Sequence, residues 1–75
     1  MSNLIRRIRF NRAELKTWLL NTPEALTNSD LFIHKVLTDA GELDEHTENN
    51  MGALHDQLRT EWKDLVREAS RPAAG

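Results

Sequence analysis

Three imidazoles, three serines and a dense run of carboxylates are the groups in this 75-residue chain that could do chemistry, and their spacing argues against it. His34, His46 and His55 stand 12 and 9 residues apart, so no two share a helix face as the ligands of an HExxH-type metal site do. Ser2, Ser29 and Ser70 fall near a terminus, at a helix start and in a tail, and no glycine-rich elbow exposes any of them as a nucleophile. The carboxylates between Asp39 and Glu48 read as a solvated acidic face, because general acid–base work needs a cleft that so short a chain hardly encloses. Glycine occurs only at 41, 52 and 75, too sparsely to cradle a phosphate. Cysteine is absent, which removes disulfides, thiolate nucleophiles and sulfur-based zinc sites together. The expectation is therefore a protein that is not an enzyme and holds neither cofactor nor metal.

Charge is the stronger signal. Over residues 1–20, Arg6, Arg7, Arg9, Arg12 and Lys16 face Glu14 alone, whereas over 21–56 eight carboxylates face only Lys35. The basic head can pair with the acidic middle within one chain or between copies, or it can meet an external anion such as DNA phosphate or an acidic protein surface. A membrane role is disfavoured: the start LIRRIRF breaks its apolar content with arginines, and no stretch approaches the ~18 apolar residues of a spanning helix. A cytoplasmic location follows as an expectation.

The elements that position these groups read as all-α, a small bundle of about three helices near 12–20, 28–40 and 48–69. Asn11 followed by Glu14 makes a capping-box-like start, and Leu15, Trp18 and Leu19 share the face behind it. Pro23 stops that helix and allows one further turn through Leu26. Thr27 is a cap for the next helix, with Leu26 and Leu31 at the positions of a hydrophobic staple, and Gly41 ends it. In the third, Met51, Leu54, Leu58, Trp62, Leu65, Val66 and Ala69 form one apolar stripe at 100° per residue, with His55 inside it as a core or interface histidine. Residues 1–70 are expected to form one domain, with 71–75 a flexible tail.

At about 33 Å, the third helix outruns partners of 9 and 13 residues, which would cover some two thirds of its stripe. Either the N-terminal segment folds back over the remainder or a second copy does, and two-fold symmetry makes the copy the simplest external cover. The leading expectation is a non-catalytic, protein-binding adaptor or regulator, self-associated as a homodimer through Leu58, Trp62, Leu65 and Val66, with Arg6, Arg7, Arg9, Arg12 and Lys16 as a second contact surface.

The alternative is a DNA-binding transcriptional regulator using the basic arm. Residues 7–11 alternate, with Arg7, Arg9 and Asn11 on one side and Ile8 and Phe10 on the other, so this segment is either a short strand or a helical extension. An alternating strand, a helix and a second capped helix at Ser29 and Asp30 resemble ribbon-helix-helix repressors over about half the chain. That resemblance implies a dimeric ribbon entering a major groove. Pro23 and the long C-terminal helix depart from it.

Overall fold

Local capping chemistry sets where each helix of this protein begins, as seen in a computed structural model that describes residues 4–70. Asn11 is extended, and its Oδ1 accepts from the Glu14 amide at 3.1 Å, which starts α1 at Arg12–Leu20 as the Asn-x-x-Glu spacing implies. Pro23 opens a 3-10 turn, Pro23–Leu26, and its fixed φ suits that first position. The next cap is Asn28 rather than Thr27: its Oδ1 accepts from the Asp30 amide at 3.0 Å and α2 runs Ser29–Ala40. That shift of one residue removes Leu26 and Leu31 from staple positions, and Leu31 is 38% exposed. Gly41 ends α2 at φ 69°, a backbone conformation that side chains with a Cβ disfavour.

The long C-terminal helix expected over 48–69 is present but starts at Met51, after a separate single turn. Asp44 Oδ1 accepts from the Thr47 amide at 2.7 Å and starts a single turn, α3, at Glu45–Glu48. The Asn50 side-chain amide donates to the His46 carbonyl at 2.7 Å, while the Asn50 carbonyl accepts from Leu54, so α4 begins afresh at Met51–Ser70. Gly52 thus lies in a first turn, and a Cβ there would meet nothing within 4 Å, so it marks a late start and no close helix contact. Gly52→Ala is expected to stabilise the protein by about 0.4–1 kcal/mol through the unfolded state. Thermal denaturation followed by circular dichroism checks this, with a lowered Tm as the contrary result.

The fold is a small all-α bundle. Its core is Leu4, Leu15, Leu19, Ala25, Phe32, Ile33, Val36, Leu54, Leu58 and Leu65. The strand considered for 7–11 is absent: Leu4–Arg7 is a 3-10 turn, the Ile8 amide donates to the Ile5 carbonyl at 3.3 Å, and residues 8–11 pair with no other segment among the described residues. A lone strand has no ladder to stabilise it. The ribbon-helix-helix pattern therefore loses its first element.

This N-terminal turn packs against α4, as do α1 and α2. The Leu4 side chain is fully buried, and its amide donates to Gln57 Oε1 at 2.8 Å. Trp62 donates through Nε1 to the Ala25 carbonyl at 2.7 Å, pinning the second 3-10 turn to the same helix. The apolar stripe is thus covered by its own chain. Leu58 and Leu65, expected at an intermolecular contact, are fully buried against the rest of their own chain; Trp62 and Val66 are half-buried. His55 is half-buried on the same stripe, with Nε2 enclosed and without a hydrogen-bond partner among the described residues. The tail expected at 71–75 lies outside the described residues.

Candidate partner-binding surface

Of the five cations in the basic head, three are held by the protein itself. Arg7 Nε lies 3.1 Å from Asp44 Oδ2, which ties the head to the acidic connection as the charge asymmetry allows. Arg12 pairs with Glu68 through Nη2 and lies 3.7 Å from Glu61, and Lys16 is 3.9 Å from Glu68. The Glu68 hydrogen bond raises the Arg12 pKa, so this guanidinium stays charged wherever the protein is folded. These pairs are exposed or half-exposed, so solvent screens them and they add little to stability. What they do is neutralise: Arg6 and Arg9, both exposed, are left without partners among the described residues.

Asp44 has two roles, capping α3 and holding Arg7. Its carboxyl lies below the ordinary aspartate range, drawn down first by the Thr47 hydroxyl beside it, then by the Thr47 amide, and less by Arg7. Of the two Thr47 groups only the amide meets hydrogen-bond geometry, so the amide carries the cap. Because the folded carboxyl binds its proton less tightly than the unfolded one, Asp44 stabilises the fold fully above about pH 4 and loses that contribution as pH falls through the lower folded value. The stability gap between wild type and Asp44→Asn, measured by urea unfolding, should therefore be widest near neutrality and close in acid. A gap that widens as pH falls contradicts this.

Between the first 3-10 turn and α1, residues 8–11 form a strap. Its side chains alternate in the way the sequence suggests, although no strand is formed. Ile8 and Phe10 line one hollow, about 450 Å³ in volume, together with Ile5, Arg6, Arg12 and Glu61. Arg9 and Asn11 line a second groove, about 350 Å³, with Glu14, Leu15 and Trp18 of α1 and Lys35, Val36 and Asp39 of α2. Phe10 is positioned by an edge-to-face contact with the buried Phe32, centroids 6.4 Å apart. Ile5, Ile8 and Phe10 are all half-buried, so an apolar patch stands open beside an unpaired guanidinium. Trp18 is half-buried at the groove and packs against the core.

Half-buried apolar side chains, Ile5, Ile8 and Phe10, therefore gather at the N-terminal strap, while the leucines of the α4 stripe are buried within the chain. Ile8 and Phe10 were legible as an apolar alternation, but nothing in the sequence indicated that they, rather than Leu58 and Leu65, would remain accessible. Among the described residues no three His, Asp or Glu side chains come together to hold a metal ion, and no helix is long and apolar enough to cross a membrane. No family model matches the chain, and neither a curated protein nor a solved structure matches it.

Proposed function

We propose that this protein is a non-catalytic helical adaptor or regulator that binds another protein through its N-terminal strap. The observation that carries the reading is the open hollow in which Ile5, Ile8 and Phe10 stay half-buried next to Arg6. An apolar centre beside an unpaired arginine has the composition of a protein interface, where buried apolar groups supply affinity and charged groups at the rim supply orientation. In the test, tagged wild type and Ile8→Asp are recovered from lysate after nuclease treatment, with folding checked by circular dichroism. A specific protein retained by wild type and lost by Ile8→Asp supports the reading. Recovery of the same proteins by both forms, or of nucleic acid only before nuclease, counts against it.

DNA binding through the basic arm is the competing use of the same residues. With Arg7, Arg12 and Lys16 already beside carboxylates, Arg6 and Arg9 are the cations left for phosphate. Two phosphate contacts give a slope of log K against log salt of about −1.8, whereas five would give about −4.5. Fluorescence anisotropy with duplex DNA across a salt series is expected to show the shallow slope and weak binding. A slope near the steeper value would favour DNA as the partner.

A further inference from the structure

The groove between the strap, α1 and α2 brings together charges that the fold leaves unmatched. Lys35 and Asp39 pair across one turn of α2 at 3.1 Å, so they neutralise each other on one wall. Arg9 and Glu14 line the same groove, and neither side chain makes an ion pair among the described residues, with the other or with any third group. One unpaired cation and one unpaired anion are thus held in a common recess by different elements, Arg9 by the strap and Glu14 by the first turn of α1. Leu15 and Val36, both buried, and the half-buried Trp18 give the recess an apolar wall. Trp18 follows Glu14 by four residues, so the two stand as neighbours on α1.

Two neutral donors stand with Arg9. Asn11 Oδ1 is committed to the Glu14 amide, which leaves the Asn11 side-chain N–H groups without an acceptor among the described residues, and Trp18 Nε1 has none either. A guanidinium, an amide and an indole N–H all donate and suit a carboxylate, whereas the Glu14 carboxylate only accepts and suits an ammonium. An apolar wall with a few polar groups that fix orientation is the make-up of a small-molecule site, and about 350 Å³ lies near the lower end of such volumes.

We propose that this groove binds a free α-amino acid with an apolar side chain, its carboxylate toward Arg9, its ammonium toward Glu14 and its side chain against Trp18. The charge balance selects a zwitterion. A simple anion would meet Glu14 and Asp39 as well as Arg9, and a simple cation would meet Arg9 and Lys35 as well as Glu14. A ligand carrying both signs matches both unpaired groups, and its apolar body covers the wall between them. Because Arg9 and Glu14 are exposed, water screens both contacts, and the affinity for so small a ligand falls in the millimolar range.

The inference does not depend on the protein-binding reading, which concerns the hollow at Ile5, Ile8 and Phe10. The probe is L-phenylalanine, titrated into the isotope-labelled full chain and followed by amide and indole N–H chemical shifts. The Trp18 indole and Asn11 side-chain amide signals are expected to move and to saturate in the millimolar range. N-acetylphenylalanine lacks the ammonium, phenylalaninamide lacks the carboxylate and glycine lacks the apolar body, and each should bind at least about threefold more weakly. Two variants assign the charges: Glu14→Gln should remove the preference over N-acetylphenylalanine and keep that over phenylalaninamide, and Arg9→Gln should do the reverse. Glu14→Gln leaves the start of α1 intact, because the cap uses the Glu14 backbone amide. No shift up to about 20 mM phenylalanine, shifts confined to other parts of the protein, or a blocked form that binds as well as phenylalanine overturns the inference. So does either variant that keeps both preferences.

Discussion

Trp62→Ala is expected to yield an unfolded chain, not a folded monomer released from a dimer. The indole does two things: it covers part of the core beside Leu58 and Leu65, and it donates through Nε1 to the Ala25 carbonyl at 2.7 Å. Truncating a buried tryptophan typically costs about 3–5 kcal/mol, and the half-buried setting of Trp62 places its packing loss near the lower end. To this is added the Ala25 carbonyl, which sits on a fully buried residue and would lose its donor at a cost of about 1–3 kcal/mol. A domain of this size without disulfide or metal has only about 3–5 kcal/mol in hand, so the sum removes the cooperative transition. Trp62→Phe retains most of the ring but not the donor and should remain folded, destabilised by about 1–3 kcal/mol. Urea unfolding followed by circular dichroism reads both variants, and sedimentation velocity on wild type should show a monomer. A folded Trp62→Ala protein that differs from wild type only by dissociating would return the α4 stripe to an intermolecular role.

The helices were legible where a cap and a periodicity agreed. Asn11 with Glu14 set the start of α1 to the residue, and Gly41 set the end of α2. Competition between adjacent capping residues was not legible: Thr27 and Asn28 can both cap, and the asparagine does so. The break before α4 was not legible either, because the stripe begins at Met51 and carries no signal of how Asn49 and Asn50 interrupt the chain before it. The largest departure concerns cover. Counting helices alone left the end of the stripe exposed: the proline marked the turn at Pro23–Leu26 but not where it packs, and Leu4–Arg7 carries too few residues to register as a periodic element. Leu4 and Ala25 nevertheless contribute two fully buried side chains from those turns. The candidate site was hidden by the same omission: once Leu4 is committed to the core, Ile8 and Phe10, which follow it, are left half-buried at the core's margin.

Leu4→Ala tests that cover directly, and it is expected to destabilise the protein by about 2–5 kcal/mol. The Leu4 side chain is fully buried in the cluster with Leu54, Leu58 and Leu65, and its amide is held by Gln57 Oε1 at 2.8 Å. The substitution removes the side chain but leaves the amide, so the loss measured is that of packing. Gln57→Ala removes the acceptor and keeps the leucine, and should cost less, about 0.5–1.5 kcal/mol, because the amide can turn to water. If the N-terminal turn clamps α4, Leu4→Ala also frees the strap that follows it. Amide exchange at Ile8, whose donor is held by Ile5, should then quicken together with that of Leu54 and Leu58. Near-neutral stability of Leu4→Ala, with α4 amides protected as in wild type, would mean that the turn rests on a core that does not need it, and the stripe would again require cover from outside the chain.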